Sequence, residues 1–281
     1  MKKKRNMEAL AFTVPALVIL GVFVFYPLVR NIIYSFQSFT LSSVTKEWVG
    51  LKNYMTLLSD KIILTCLKNN ILYALISIVI QVGFGLVLAA VLEDVAFRRL
   101  APALRSIYFI PTVISMTVVC LLFDFIYNPQ MGLLNSFLEA IGLEGLTKVW
   151  LGSKKTAMYA VIAVSQWQST GYVAMLFIVA IQKIPRDLYE AAEVDGANRW
   201  DKIMRITLPC ISTSIIVMLI ISVGNIFTVN LDRILLMYNS SVYDTADVIQ
   251  TYVYRMAFES KGFPDYSYGT AVNILKSVIA F

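Results

Sequence analysis

Two groups of polar residues in this sequence have the types and spacing of functional sites. Residues 183–205 hold five acids and five bases, whereas the runs on either side, residues 156–182 and 206–231, carry no charge. A second group of hydroxyl and amide side chains interrupts the middle of the run 156–182. Dense charge suits an interface with a partner in water, whereas hydroxyls and amides can exchange hydrogen bonds with an uncharged, polyhydroxylated ligand.

The charged segment contains residues that are typical of the starts and ends of two short helices. Pro185 suits the first turn of a helix, and Gly196 suits the position just after its end. Asn198 followed by Asp201 has the spacing of a capping box for a second helix. The sequence therefore predicts a helix, a tight turn and a helix within residues 183–209. A solvated connector between two spans would have the same pattern.

Composition identifies a membrane protein. Hydrophobic residues make up 58% of the 281 residues and charged residues 15%, against about 25% charged in soluble domains, and the mean hydropathy is +0.70. There is no histidine. Cys66, Cys120 and Cys210 lie far apart, in or beside apolar runs, so each is expected to be a small buried hydrophobe. No acid–base, metal or ATP-binding pattern is present, so we expect neither an enzyme nor a cofactor in this chain.

The apolar runs predict an all-α membrane protein with six transmembrane helices. Residues 1–8 are predicted to be a cytoplasmic amino-terminal tail, and residues 9–281 a single transmembrane domain that includes a cytoplasmic loop at 183–209. The predicted spans are residues 9–29, 69–92, 106–123, 156–182, 206–231 and 270–281. The last run would reach only about 18 Å across a hydrocarbon core of roughly 30 Å, so we expect an incomplete span that continues beyond Phe281.

The distribution of positive charge predicts the orientation. The segments assigned to the cytoplasm (1–8, 93–105 and 183–205) hold 12 Lys and Arg in 44 positions, and the outer segments (30–68, 124–155 and 232–269) hold 11 in 109. Positive residues gather on the cytoplasmic side of membrane proteins. The amino terminus is therefore predicted to be cytoplasmic, and the net charge of +6 requires no nucleic-acid partner.

Polar side chains in the fourth predicted span lie on one helical face. The spacing i, i+3, i+4, i+7 aligns Ser165, Gln168, Ser169 and Tyr172 near the middle of the run. These groups suit a sugar, since hydroxyls and amides bind its hydroxyl groups and an aromatic ring packs against its flat face. The alternative is that they join neighbouring helices by hydrogen bonds, as Ser and Gln commonly do in membranes.

One motif in the charged loop resembles a known family. The sequence Glu190-Ala191-Ala192, three residues, Gly196, nine residues, Ile206, one residue and Leu208-Pro209 is similar to the signature of permease subunits in ATP-binding-cassette (ABC) importers. Further segments resemble the carbohydrate branch of that family, similar to the larger membrane subunit of the maltose transporter and to permeases for complex oligosaccharides. They are residues 48–54, 128–135, 184–189, 231–234, 252–255 and 266–271.

This resemblance implies a fold, partners and a location. It implies the six-helix fold of type I importer permeases in the cell membrane of a prokaryote, here with an incomplete last helix. The expected partners are a second permease (a different chain, with a homodimer left open), two cytoplasmic ATPase subunits and an extracytoplasmic binding protein that delivers a sugar or oligosaccharide. ATP and Mg²⁺ would be bound by the ATPase subunits.

The resemblance also implies residue roles. In such permeases the first loop helix docks on the ATPase, and its first glutamate pairs with a basic residue there. The implied coupling residues are Glu190, Ala191, Ala192, Asp195, Gly196 and Arg199. Relatives also place sugar contacts in the second half of the fifth span, which adds Ser222, Asn225 and Asn230 to the expected pathway.

Absences in the sequence separate these functions from others. The first five predicted spans contain no Asp, Glu, Lys or Arg, although an ion-coupled transporter would be expected to bury such groups. For the same reason a charged solute is not expected. A permease for another uncharged small solute, and a non-transporting membrane scaffold that recruits an ATPase, remain as alternatives.

Overall fold

The computed structural model describes residues 10, 13–39, 46–93, 99–227, 231–259 and 266–280. Helices account for most of these residues, and the strands found among them form one antiparallel hairpin, β1 (Gln37–Ser38) and β2 (Glu47–Trp48). The all-α prediction is confirmed. The chain divides into two compact units, Met1–Leu64 with Tyr252–Phe281 and Thr65–Thr251. That the transmembrane region is a single domain stays a prediction.

Helices extend over most of the described residues. In chain order they are α1 Thr13–Ser35, α2 Lys52–Ser59, α3 Lys61–Glu93, α4 Ala101–Val113, α5 Met116–Ile126, α6 Leu133–Ala140, α7 Ala157–Gln182, α8 Arg186–Val194, α9 Arg199–Cys210, α10 Ser212–Gly224, α11 Leu231–Met237, α12 Tyr243–Ala246, α13 Ile249–Tyr254 and α14 Tyr266–Ala280. Wider π-helical turns occur at Gly21–Phe25, Ile203–Thr207 and Arg255–Glu259, and 3₁₀ turns at Glu144–Leu146 and Ser240–Val242.

Three helices in the described part of the chain are long and apolar enough to cross a membrane alone. They are α1, α3 and α7, and the number rises to five when the bent pairs α4–α5 and α9–α10 each count as one span. The helix α14 has 15 residues, fewer than the 17–25 that a span needs. Six spans therefore stays a prediction.

The third predicted span is broken. The sequence predicts one helix over residues 106–123, whereas α4 and α5 meet at an angle of 101°. The helix also begins earlier, at Ala101, because Pro102 occupies its first turn, where the missing N–H of proline removes no hydrogen bond. At the break, Ile114 and Ser115 have extended backbones. The carbonyl of Ile114 is therefore released from the helical pattern.

The fifth predicted span is bent as well. The sequence predicts one span over residues 206–231, whereas α9 continues from the charged loop to Cys210 and meets α10 at 64°. Pro209 lacks an N–H, and its ring crowds the carbonyl four residues earlier. The π-turn at Ile203–Thr207 and the bend at Ile211 lie on either side of this proline. Cys210 beside it is exposed, so its predicted burial is wrong, while Cys66 and Cys120 are buried as expected.

Helix limits in the first unit are set by polar contacts as much as by apolar sequence. The helix α1 runs past Arg30 to Ser35, because the Arg30 guanidinium donates to the Tyr34 hydroxyl and lies 4.8 Å from its ring centre. The helix α3 begins eight residues before the predicted start, where Asp60 Oδ1 accepts the Ile62 N–H at 2.8 Å and caps the helix.

Hydrogen bonds around two side chains hold the first unit together. The Tyr54 hydroxyl donates to Ser35 Oγ at 2.7 Å. The carboxylate of Asp60 accepts from the Tyr252 and Tyr268 hydroxyls, both at 2.8 Å. Burial alone would raise the pKa of Asp60, but these phenols and nearby backbone N–H groups outweigh it and lower the pKa below its usual value. The carboxylate therefore stays ionised and joins α14 to the start of α3.

The helix α7 forms the centre of the second unit. In its most apolar 18-residue window 61% of residues are buried, against 28% for α3. Its first half packs in a cluster with Val119, Ile234 and Val242, and its second half in a cluster with Leu88 and Ile211. Because both clusters contain residues of this one helix, α7 connects the two ends of the unit.

Close packing of α7 depends on Gly171. A Cβ added there would lie 1.8 Å from the Tyr108 carbonyl oxygen of α4, so the two backbones approach as small residues allow in membrane helices. Residues 128–132 form a turn, in which Asn128 Oδ1 accepts the N–H groups of Gln130 and Met131, each at 3.0 Å.

We expect Gly171→Ala to destabilise the protein. A backbone carbonyl cannot swing aside as a side chain can, so α4 must shift, at a cost of about 1–3 kcal/mol. Thermal unfolding in detergent should show this as a fall in Tm of several degrees. The matched control is Gly83→Ala in α3, where no atom lies within 4 Å of an added Cβ and Tm should stay equal or rise. Equal Tm values for both variants would contradict the close-packing account.

Candidate functional site

The charged loop begins with an exposed helix. The helix α8 starts after Pro185, whose extended backbone (ψ 132°) turns the chain away from α7. Asp187 lies in its first turn, where a negative charge stabilises the positive end of the helix dipole. Glu190 and Ala191 are exposed, and Tyr189 is half-buried. Most of this helix is therefore exposed.

The turn after α8 requires glycine. Gly196 has φ of +77°, the Ala197 N–H donates to the Ala192 carbonyl at 2.9 Å, and the Gly196 N–H donates to the Glu193 carbonyl at 3.1 Å. This pair of bonds is the Schellman pattern of helix ends. A Cβ on Gly196 would meet nothing within 4 Å, so the backbone conformation and not crowding demands glycine. The predicted helix end is confirmed.

A capping box begins the second loop helix, as the sequence predicts. Asn198 Oδ1 accepts the Asp201 N–H at 2.9 Å, and the Asn198 N–H donates to Asp201 Oδ2 at 3.3 Å. The side chain of each residue accepts a hydrogen bond from the backbone N–H of the other. The orientation of α9 relative to the turn is therefore fixed locally.

Two side-chain contacts join α8 to α9. The hydroxyls of Tyr189 and Thr207 lie 2.9 Å apart, and Lys202 Nζ lies 2.5 Å from Glu193 Oε1. Thr207 is buried, whereas Glu193 is largely exposed. Exposed ion pairs contribute little to stability, so the Tyr189–Thr207 hydrogen bond is the firmer of the two connections.

The loop also exposes large apolar side chains. Val194 is 88% exposed and Trp200 67% exposed. Leu188 and Met204 are exposed too. Apolar groups grouped on one surface element commonly mark a contact site for another protein or a membrane.

The residues assigned to coupling all lie on this loop. Five of them are exposed, namely Glu190, Ala191, Asp195, Gly196 and Arg199, and Ala192 is half-buried. Within the described ranges Glu190 has no ion-pair partner. A carboxylate on an exposed helix beside exposed apolar residues can pair with a cation on another protein.

The second candidate region is centred on Gln168. This side chain is 8% exposed. Its Nε2 donates to the Ile114 carbonyl at 3.0 Å, and the Thr112 hydroxyl donates to the Gln168 backbone carbonyl at 3.0 Å. Gln168 therefore satisfies the carbonyl that the break between α4 and α5 releases, as buried backbone groups require.

The other predicted pathway residues of α7 are more accessible. Ser165 and Ser169 are half-buried, and the Ser169 hydroxyl donates to the Ser165 carbonyl at 2.8 Å. Tyr172 is 49% exposed. The predicted polar face thus runs along the border between the buried and exposed sides of α7, with Gln168 on the buried side. Polar groups on such a border can bind a ligand or a second subunit.

The predicted residues after Pro209 are only partly described. Ser222 is half-buried in α10, and Asn225 is exposed just after its end. Asn230 lies outside the described residues. No hydrogen bond in the described part of the chain joins Ser222 or Asn225 to the polar face of α7.

Arg233 is a residue that sequence reasoning missed. It is 5% exposed, and its Nη2 donates to Gln168 Oε1 at 2.5 Å. The sequence assigns it to an outer segment, because it lies two residues beyond the uncharged run that ends at Leu231. A count of the charges within each apolar run does not reveal that α11 places the Arg233 guanidinium beside the middle of α7. The signal available in the sequence was an arginine two residues after the end of the apolar run 206–231, next to the acidic Asp232.

A second polar cluster lies where α7 enters the charged loop. Glu93, at the end of α3, accepts hydrogen bonds from Gln182 Nε2 at 3.0 Å and from the Arg105 guanidinium. The ends of α3, α4 and α7 are therefore joined beside the start of the loop. Among the residues described here, no group of three His, Cys, Asp or Glu side chains could hold a metal ion.

Comparisons with known proteins identify the family to which this chain belongs. Residues 81–231, which include both candidate regions up to Leu231, match the family of binding-protein-dependent transport system inner membrane components. The probable ABC transporter permease protein YurN of Bacillus subtilis is 46% identical over 96% of this chain and 91% of its own length. The arabinooligosaccharides transport system permease protein AraP of the same organism is 29% identical over 95% of this chain and 83% of its own.

A solved structure has the same fold. A chain of a bacterial alginate ABC transporter, crystallised in complex with an alginate pentasaccharide-bound periplasmic protein, superposes with a TM-score of 0.88. The two chains are 29% identical, and the match covers 99% of this chain and 91% of the other. Both the fold and the sequence are therefore similar over nearly the whole length.

We expect Tyr189→Phe to loosen the loop. Removing the hydroxyl leaves buried Thr207 without this partner, which costs about 1 kcal/mol, so backbone amides of residues 199–207 should exchange with deuterium roughly fivefold faster. The control is Tyr159→Phe in α7, whose side chain is 52% exposed. Hydrogen–deuterium exchange followed by mass spectrometry measures both. Unchanged protection in Tyr189→Phe would show that this bond does not hold α9.

Proposed function

Because this chain belongs to the family of binding-protein-dependent transport system inner membrane components, we propose that it forms the membrane pathway of an importer for an oligosaccharide. As an ABC permease it is not itself an enzyme. The observation that carries the proposal is the exposed loop at the end of α7, where Glu190 and Gly196 occupy a fixed helix–turn–helix.

Saccharides are the proposed cargo. The relatives AraP and the alginate transporter are named for an oligosaccharide and a polysaccharide. The border position of Ser165, Ser169 and Tyr172 supports a sugar pathway along α7, because these groups stay accessible beside the buried centre. Ser222 and Asn225 extend the proposed pathway onto α10, and Asn230 is assigned to it from the sequence alone.

In the proposed mechanism, α8 docks on a separate ATPase subunit. Glu190 pairs there with a basic residue, and the exposed apolar side chains Leu188 and Val194 pack against the same partner. Truncating one member of a buried ion pair costs far more than losing a rim contact. ATP and Mg²⁺ would be held by that subunit, and its movement would reach the polar centre through α7.

The assembly follows from the same proposal. A binding protein outside the cell delivers the saccharide, a second permease completes the pathway, and two ATPase subunits lie beneath the pair. The amino terminus and the loop 183–209 are proposed to face the cytoplasm, in agreement with the higher density of Lys and Arg in those segments. A different second chain is favoured over a homodimer by the resemblance to the maltose permeases.

We expect Gly196→Val to uncouple ATP hydrolysis from transport. A β-branched residue at positive φ is strained by roughly 1–2 kcal/mol or more, so α8 should be misdirected. In proteoliposomes with the complete importer, ATPase activity stimulated by the loaded binding protein should fall at least tenfold. The matched control is Gly142→Val, since Gly142 has φ of +78° with equally open surroundings but lies before α7.

Two outcomes separate the possible readings of that experiment. Loss of stimulation in Gly196→Val but not in Gly142→Val supports docking by the loop, and Glu190→Ala should reproduce it by removing the charge. Normal stimulation of ATPase activity in both Gly196→Val and Glu190→Ala would contradict the coupling proposal. Equal losses in both glycine variants would trace the effect to general strain.

A further inference from the structure

The centre of the second unit contains a buried cation. Arg233 in α11 is 5% exposed, and its Nη2 donates to Gln168 Oε1 at 2.5 Å. Gln168 lies near the middle of α7, 11 residues after its first residue Ala157 and 14 before its last, Gln182. A guanidinium is therefore held at the depth of the polar face that forms the proposed pathway.

The hydrogen bonding of this guanidinium is incomplete. In the described part of the chain Arg233 forms no ion pair, and its Nε is buried without a hydrogen-bond partner. The preceding residue, Asp232, is exposed and does not neutralise it. Burying a charge without a counter-charge is costly, and buried polar atoms left unpaired are rare enough to call for an explanation. Ionisable residues at membrane depth commonly mark sites of function.

The free atom lies on the edge that binds carboxylates. The N–H groups of Nε and Nη2 point the same way and form one side of the guanidinium fork, which matches the two oxygens of a carboxylate. In this structure Nη2 is occupied by a neutral amide oxygen, and Nε is vacant among the described contacts. One of the two donor groups on this edge therefore binds a neutral amide oxygen, which cannot neutralise the charge of the guanidinium.

The surroundings suit a site that a ligand reaches. The backbone break between α4 and α5 lies beside Gln168, whose Nε2 donates to the released Ile114 carbonyl at 3.0 Å. Irregular backbone at membrane depth occurs where it is buried in protein or lines a cavity, and broken helices form the binding sites of many transporters. Next to Gln168, the half-buried hydroxyl of Ser169 and the 43% exposed ring of Trp167 connect this centre to the accessible face.

We propose that Arg233 binds the carboxylate of an acidic saccharide, one that contains uronic acid units, as it passes the centre of α7. The carboxylate takes the Nε–Nη2 edge and displaces Gln168 Oε1 from Nη2. This inference rests on the proposed import function and narrows its substrate class. It also replaces the expectation of an uncharged solute, which followed from the absence of charge within the predicted spans.

The alternative role for Arg233 is structural, as a hydrogen-bonded link that joins α11 to α7. A structural link needs only a hydrogen-bond donor of suitable length, whereas carboxylate binding needs the positive charge. Substitution of Arg233 should therefore change the ratio of acidic to neutral saccharide transported if it binds a carboxylate, and should leave that ratio unchanged if it is only a structural link.

The test measures that ratio in the complete importer. Proteoliposomes carry this chain with its second permease, ATPase subunits and binding protein, and uptake is measured for labelled trigalacturonate and for its neutral methyl ester. We expect Arg233→Gln to lower the ratio of acidic to neutral uptake at least tenfold, and Arg233→Lys to stay within about threefold of the unmodified chain. The control Lys155→Gln removes one exposed positive charge and should leave the ratio unchanged.

A second variant keeps the test decisive if Arg233→Gln fails to fold. Gln168→Glu keeps the link between α7 and α11 and supplies an internal carboxylate for Arg233, so it should also lower the ratio at least tenfold. It gives up the hydrogen bond to the Ile114 carbonyl, which affects uptake of both probes alike and leaves the ratio as the readout. An unchanged ratio in Arg233→Gln, or in Gln168→Glu when the first variant does not fold, overturns the inference. Uptake of only the neutral ester by the unmodified chain overturns it too and leaves saccharide import intact, whereas uptake of neither probe counts against the import function itself.

Discussion

Hydrogen bonds made by one side chain, Gln168, hold the centre of the second unit together. Its amide donates to the carbonyl released at the break between α4 and α5, and its oxygen accepts from buried Arg233. In a membrane, a backbone carbonyl without a partner costs several kcal/mol, so a broken span needs such a group beside it. The shape of the third span, the depth of the guanidinium and the position of the polar face all depend on this residue.

The same helix extends this constraint to the loop. The helix α7 runs unbroken from Ala157 to Gln182, is packed at both ends, and is pinned to α4 where Gly171 meets the Tyr108 carbonyl. At its last residue, Gln182 binds Glu93, and the charged loop begins directly after it. A force applied to α8 therefore reaches the polar centre through about 20 Å of packed helix. In the proposed assembly this is how ATP hydrolysis moves the groups around the sugar.

Structural features that depend on residues close in sequence were predictable, whereas features that depend on residues far apart in sequence were not. The end of α8 at Gly196 and the Asn198–Asp201 capping box depend on residues a few positions apart, so spacing alone identifies them. The two bends in the predicted spans depend on how a freed carbonyl or a proline is accommodated by neighbours, and apolar runs do not contain that information. Glu190 was marked by its motif, and the structure adds its exposure. Arg233 escaped because α11 folds it back onto α7, 65 positions away.

The proposed mechanism requires that α8 meets a separate ATPase subunit. Photo-crosslinking in cells tests it directly, with p-benzoylphenylalanine placed at Val194, which is 88% exposed, or at Phe137 of α6, which is 60% exposed. We expect an adduct with an ATP-binding subunit from position 194 and none from position 137. An ATPase adduct from position 137 with none from position 194 would contradict it.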